Sequence, residues 1–324
     1  MKNSQPENAG AETTEERTTV AILGPTCSGK SEIAAFLAGR LEAHVISCDS
    51  MQVYRGMDIG TAKPPLSLRQ EIPHHLIDIV GINSSYNASR FVNDARKCIS
   101  ALDHVSRPAV LAGGTGLYAR ALIYGFSLLP ADPEVAAAVA QEYDEPGGPE
   151  RLREELLQAV ADTDGDAGSP PENPRRLIRA VEVLRLSGKP PVSQPRNTSA
   201  PIRRFRQFVI IPHPDYHKQL IIRRVEQMLA DGWIDEARAL ISRGLLSTPT
   251  ARQALGYRDI GEYIAGNGAL RSLEDVKERL IRKTVRYARR QRTWFRNQHP
   301  GATVWNLDRH ELTPEKLAAH ILKR

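Results

Sequence analysis

Gly24-Pro25-Thr26-Cys27-Ser28-Gly29-Lys30-Ser31 has the spacing G-x-x-x-x-G-K-[ST] of a phosphate-cradling P-loop. Its surroundings fit. Thr18 to Leu23 reads as a buried strand entering the loop, and Ser31 to Leu41 carries apolar residues at helical spacing leaving it. The residue types follow from the chemistry. Glycines let backbone N–H groups converge on phosphate oxygens, and the helix N-terminus adds positive potential. Lys30 adds a full charge, and the Ser31 hydroxyl can ligate Mg²⁺. A di- or triphosphate is expected here, and the loop alone does not say whether it belongs to a nucleotide.

Downstream, Ala43 to Cys48 reads as a second strand ending at Asp49, followed by the long polar segment Asp49 to Pro64. Open α/β sheets place their ligands just beyond the carboxyl ends of strands, where this segment falls. Leu76 to Val80 reads as a third strand, and Ser89 as the cap of a helix reaching about Leu102. Pro108 to Ala112 is a further strand that opens into Gly113-Gly114-Thr115-Gly116 and another helix. This alternation predicts an α/β fold, a P-loop NTPase-like parallel sheet core covered on both faces.

Near Pro130 the composition shifts to helical patches between Pro, Gly and Asp clusters, which predicts a helical insertion domain. Within it Asn173 is the expected N-cap of a helix with Pro174 in its first turn. Phe205 to Ile211 rejoins the sheet, helices follow at about 214–230, 233–243, 251–265 and 273–297, and Thr303 to Leu307 is a last strand before a closing helix over 313–322. The expected organisation is a disordered tail over 1–17, core over 18–129, insertion over 130–201, and core again over 202–324 with basic C-terminal helices.

The 324 residues, 41% hydrophobic and 25% charged, have the composition of an ordinary soluble globular protein. No apolar run is long enough to span a bilayer and no secretory signal is visible, so no membrane partner is expected. Cys27, Cys48 and Cys98 are an odd number without metal spacing, which suits a reduced, cytoplasmic protein; a monomer is expected. The net charge of +6 is unevenly spread. On a helical wheel of 273–297, Arg279, Arg282, Lys283, Arg286, Arg289, Arg290 and Arg296 share one broad arc, while Leu280, Thr284, Tyr287, Ala288, Trp294 and Phe295 lie opposite. Acidic residues are nearly absent after Glu278, so no salt-bridge lattice within the helix is expected, and nucleic acid or another polyanion is the expected partner.

A P-loop ATPase would place a magnesium-binding Asp at the end of the later apolar strand, but here that strand ends Leu111-Ala112-Gly113-Gly114. Asp49 is the well-placed carboxylate and the candidate general base, with a turn-capping Asp as the alternative. Thr115 sits in a loop that can approach phosphate, or simply caps the next helix. His74 and His75 lack partners at ligand spacing and read as structural.

The P-loop, Ser47-Cys48-Asp49-Ser50-Met51-Gln52-Val53-Tyr54-Arg55-Gly56 continuing to Pro64, Pro73-His74-His75-Leu76-Ile77-Asp78-Ile79 and Gly113-Gly114-Thr115-Gly116-Leu117-Tyr118 resemble, in order, the motifs of tRNA dimethylallyltransferases. So do Arg175 to Val183, Gln253 to Tyr257 and Tyr287 to Arg296. The resemblance spans roughly residues 18–307, and the 49–64 segment is its most specific part. It implies transfer of a dimethylallyl group from dimethylallyl diphosphate to N6 of adenosine 37 in the anticodon loop of tRNA, with the P-loop holding a pyrophosphate leaving group and Mg²⁺. It further implies Asp49 as general base and Thr115 near the substrate. Ser50, Met51 and Gln52 would lie against an extruded adenosine, and Arg175, Arg176, Leu177, Ile178 and Arg179 against the tRNA; the basic arc of the long helix adds Arg282 and Arg286 as expected tRNA contacts. Two arginines that relatives use near the pyrophosphate are replaced here by Pro214 and Leu220. A small-molecule P-loop kinase and a prenyltransferase of free adenine nucleotide are the alternatives; neither needs a basic helix or an insertion.

Overall fold

β1 (Thr19–Leu23) buries all five of its residues, as a strand with neighbours on both sides and helices on both faces must. The structure is a computed structural model that describes residues 18–125, 129–162, 169–191, 204–266, 268–307 and 313–322. The expected tail over 1–17 and most of the connector after Lys189 lie outside them.

In chain order β1 is followed by α1 (Lys30–Leu41), β2 (His44–Ser47), α2 (Leu66–Glu71), β3 (His74–His75), α3 (Ala88–His104), β4 (Ala109–Gly113) and α4 (Gly116–Tyr124). Then come α5 (Pro133–Asp144), α6 (Gly148–Ala161), α7 (Pro174–Ser187), β5 (Phe205–Pro212), α8 (Pro214–Ala230), α9 (Trp233–Ser242), α10 (Tyr257–Ala265), α11 (Leu273–Gln298), β6 (Thr303–Leu307) and α12 (Pro314–Leu322).

The sheet has the order β3-β2-β4-β1-β5-β6, and every pairing is parallel. On one face Val20, Ile22, Val110, Phe208 and Ile210 pack with Ile33 and Leu37 of α1 and Leu317 and Ile321 of α12. Their sheet neighbours Ala21, Leu23, Leu111 and Val209 point the other way and are fully buried too. With β1 between β4 and β5, the loops leaving β1, β4 and β2 stand side by side at one end of the sheet.

The chain divides into two compact units, one formed by 1–124 with 201–324, the other by 125–200. The second consists, among its described residues, of α5, α6 and α7 around Val139, Leu152, Leu156, Leu177, Val181 and Leu184. Asn173 caps α7 by accepting from the Arg176 N–H, with Pro174 in the first turn. On its surface Arg185 bridges Glu142 and Glu155, at 2.7 Å to each.

Several local readings need correction. The strand expected over Leu76 to Val80 does not form, because Leu76 (φ 62°) and Asp78 (φ 58°) adopt left-handed backbone; β3 is instead the short pair just before it. Asn87, not Ser89, caps α3, accepting from the Arg90 N–H. The helix expected over 251–265 is a short 3₁₀ turn at Ala251–Gln253 and then α10, separated by Gly256 at φ 96°.

Candidate active site

The loops after β2 and β4 meet through main-chain hydrogen bonds. The Cys48 N–H donates to the Ala112 carbonyl at 2.7 Å, and the Thr115 N–H to the Cys48 carbonyl at 3.2 Å. Gly113 is where this row is tightest: a Cβ there would collide with the Cys48 carbonyl. The P-loop turns on Gly24, at φ 153°, where a Cβ would lie 2.5 Å from the Ile210 carbonyl oxygen and 3.1 Å from Ser28 Oγ. The Ser28 hydroxyl is buried and has no hydrogen-bond partner among the described residues, the condition expected of a donor kept for an anion.

Lys30 opens α1 with its Nζ 3.3 Å from the Pro25 carbonyl. Burial pushes its ammonium below the ordinary lysine value, while the Asp49 carboxylate opposes that shift. The positive charge of Arg224 on α8 also acts to lower Lys30 and Cys27. Burial raises the thiols of Cys27 and Cys48, and the Asp49 charge adds to the effect at Cys48. Neither is an activated nucleophile.

Asp49 does two things at once. Its Oδ1 accepts the N–H groups of Met51 (2.8 Å) and Gln52 (3.3 Å), the turn-capping geometry weighed above. Its Oδ2 accepts no hydrogen bond among the described residues, and its charge is felt by Lys30, Tyr118 and Tyr287. Burial, with Asp49 adding, pushes the Tyr287 hydroxyl up to about 12. Thr115 Oγ1 accepts the Ser50 N–H at 3.0 Å and donates to Ser50 Oγ at 3.3 Å, so it fastens the turn after β2.

The Asp49–Pro64 loop is irregular but firmly held. Val53, Tyr54 and Met57 are fully buried, and the Tyr54 hydroxyl bonds the Thr250 hydroxyl. Gln52 uses both ends of its amide within the protein, accepting from Ser47 Oγ of β2 and donating to the Thr61 and Ala62 carbonyls. Lys63, buried, donates to the Tyr54 carbonyl, Asp58 and Asp78, and Arg69 also binds Asp78 at 2.7 Å. Burial alone would raise the Asp78 carboxyl, but hydrogen bonds from Lys63 and Arg69 outweigh it and hold the group below the usual carboxylate range. From α9, Glu236 accepts the N–H groups of Asp58 (2.7 Å), Ile59 (2.7 Å) and Gly60 (3.0 Å) and the Tyr257 hydroxyl (2.7 Å).

Among the described residues no group of three or more His, Cys, Asp or Glu side chains could hold a metal. His44 and His75 instead share a hydrogen bond at 2.9 Å, and His74 bonds the Ile72 carbonyl.

The basic arc of α11 is not uniform. Arg279 pairs with Glu262 and Lys283 with Asp259, both carboxylates from α10, and Arg282 pairs with Glu278. Among the described residues the ion pairs within the helix are Lys277–Glu274 and Arg282–Glu278, which do not make a lattice; the carboxylates that hold Arg279 and Lys283 come from another helix, which a wheel of α11 alone does not show. Arg286, Arg289 and Arg290 are exposed and have no carboxylate partner among the described residues. In the helical unit, Leu177 is fully buried in the core and cannot meet tRNA, because it falls on the inward stripe of α7. Ile178 packs against that core, and Arg179 is tied to the Leu129 carbonyl and Glu182. Arg175 and Arg176 are exposed.

A family model described as IPP transferase matches residues 52–298, and one described as isopentenyl transferase matches residues 18–74. The chain belongs to this transferase family. Similar family members include a tRNA dimethylallyltransferase of Streptomyces coelicolor, 37% identical over 277 residues and 86% of each chain. One of Corynebacterium jeikeium is 36% identical over 306 residues, 94% of this chain and 95% of the relative. The crystal structure of the full-length tRNA isopentenylpyrophosphate transferase from Bacillus halodurans matches with TM-score 0.66 and 35% identity, over 94% of this chain and 96% of that one. A eukaryotic dimethylallyltransferase caught acting on tRNA shares the fold, with TM-score 0.75 at 22% identity, over 94% of this chain and 78% of that one.

Sequence reading gave Glu236 and His217 no role and carried Gln291 only inside the Tyr287 to Arg296 motif. Only Gln291 left a signal: it falls at apolar spacing between Ala288 and Phe295, where a polar side chain must find buried partners.

Proposed function

We propose that this protein transfers a dimethylallyl group from dimethylallyl diphosphate to N6 of adenosine 37 in the tRNA anticodon loop. The observation that carries the reading is Asp49, whose Oδ2 accepts no hydrogen bond among the described residues and whose charge acts on Lys30, in a site whose later strand ends in glycine, not in a metal-binding acid. Asp49 takes the N6 proton as that nitrogen attacks the allylic carbon and the carbon–oxygen bond to the diphosphate breaks. Lys30, the amides of the P-loop and the Ser28 hydroxyl stabilise the charge on the departing diphosphate, and Arg224 adds to the positive field. Mg²⁺ fits here with Ser31 and the diphosphate oxygens as ligands, since that ion favours phosphate oxygens and water over an all-protein cage, and it would neutralise leaving-group charge.

N6 is inaccessible inside a stacked anticodon loop, so the base is extruded against Ser50 and Met51. Arg286, Arg289 and Arg290 on one unit, and Arg175 and Arg176 on the other, are the proposed phosphate contacts. All these groups come from one chain, and a monomer working in the cytoplasm is the proposed form. Among the described residues no helix is long and apolar enough to cross a membrane.

The test is incubation with radiolabelled dimethylallyl diphosphate and unmodified tRNA, followed by digestion and nucleoside identification. Label on N6-dimethylallyladenosine is expected. ATP-dependent phosphorylation of a small acceptor without prenylated tRNA overturns the reading.

A further inference from the structure

The backbone of Thr26 is held at both of its polar atoms, in two successive peptide groups, by side chains from far along the chain. Its N–H donates to Gln291 Oε1 of α11 at 2.9 Å, and its carbonyl lies 2.7 Å from His217 Nε2 of α8. A carbonyl only accepts, so His217 must carry its proton on Nε2. Gln291 also donates from Nε2 to the Gly114 carbonyl at 2.7 Å, and its amide is buried. One side chain thus bridges the loop after β1, which carries Lys30, and the loop after β4, which carries Thr115 and through it the Asp49 turn. Only a group with an acceptor at one end and a donor at the other satisfies both peptides. A P-loop binds anions by converging N–H groups, so a carbonyl turned inward would repel the ligand. His217 keeps the Thr26 carbonyl occupied away from that position.

We propose that His217 and Gln291 are positioning residues for the transfer, a clasp that fixes the P-loop and sets the diphosphate at a defined distance from Asp49. The inference rests on the transfer reading and deepens it. A reacting group misplaced by an ångström costs about a hundredfold in rate, which sets the scale of the effect.

The experiment uses the full chain with His217→Leu, His217→Gln, Gln291→Leu, Gln291→Glu and the double leucine variant, each checked by thermal melt. Measured are kcat, the Kd of inorganic diphosphate, and the Kd of tRNA. Each leucine variant should lose about tenfold to a hundredfold in kcat and bind diphosphate about tenfold more weakly, with tRNA affinity within about twofold of the parent. His217→Gln, whose amide can still donate to Thr26, should recover most of the loss. Gln291→Glu keeps the acceptor but sets a carboxylate against the Gly114 carbonyl, and should not recover. Because both side chains hold the backbone of one residue, the double variant should lose less than the product of the single losses. Folded variants with unchanged kcat and diphosphate affinity overturn the proposal, as does a loss confined to tRNA binding. If the parent transfers nothing, the transfer reading fails, while the diphosphate affinities still judge the clasp. Nitrogen NMR of the parent is independent of every variant: Nε2–H at His217 supports the clasp and Nδ1–H overturns it.

Discussion

The loops over 24–31 and 49–64 both cross the carboxyl end of the sheet, yet they are built by different means. The P-loop is largely a local structure: Gly24 and Gly29 take positive φ, the peptide groups supply the ligand-binding atoms, and the following helix adds its own field. The 49–64 loop has little regular structure and is shaped by distant side chains, above all buried Lys63 and the Glu236 carboxylate. Phosphate has the same shape in every ligand, so backbone can recognise it. A reacting base needs particular side chains at particular points, and these must be held by a wider frame.

The sharpest way to separate the two loops is Asp49→Asn. The amide keeps the shape but cannot take the N6 proton, so transfer should fall about 10²–10⁴-fold while diphosphate affinity stays near the parent value. Near-full activity would leave Asp49 as a turn cap only. Glu236→Ala should cost less, about tenfold to a hundredfold in kcat/KM for tRNA, because three loop N–H groups lose their shared acceptor. Inorganic diphosphate should bind as before; a matching loss of diphosphate affinity would mean that the two loops are one structural unit.

Smaller effects are expected on the basic helix. Arg286→Ala should make the slope of log tRNA affinity against log salt shallower by roughly 0.7–0.9, whereas Arg282→Ala, already paired with Glu278, should change it less. Equal slopes for the two variants would deny the division of α11 into paired and unpaired halves. The smallest effect concerns acid stability. The Asp78 carboxyl is depressed in the folded protein, so its contribution is present above the ordinary carboxylate pKa of about 3.9 and lost as pH falls through the lower folded value. Asp78→Asn should therefore flatten the acid limb of thermal stability below about pH 4, with little change in that slope near neutrality.

Much of the frame was legible because its determinants are local. Thr303 to Leu307 is a strand as expected, and α8, α9 and α11 lie within a residue or so of their expected ranges. The failures are places where a distant partner outbids propensity. Leu76 to Val80 is apolar enough for a strand, but Asp78 turns out to meet Lys63 and Arg69. Arg175 to Arg179 reads as one basic motif, yet helical periodicity sends Leu177 inward and a carboxylate takes Arg179. A wheel of α11 alone does not show the carboxylates that hold Arg279 and Lys283, because Asp259 and Glu262 come from α10.

The sequence by itself determined the P-loop, the parallel α/β core and the identity of Asp49 and Thr115 as candidates, since these rest on short-range spacing and on which residue types can do the chemistry. Tertiary structure alone decided which of Asp49's oxygens and which arginines stay unpaired among the described residues, and that Gln291 and His217 grip the Thr26 backbone. Those outcomes depend on hydrogen bonds between residues up to 265 positions apart, and no local pattern specifies which buried donor will meet which acceptor.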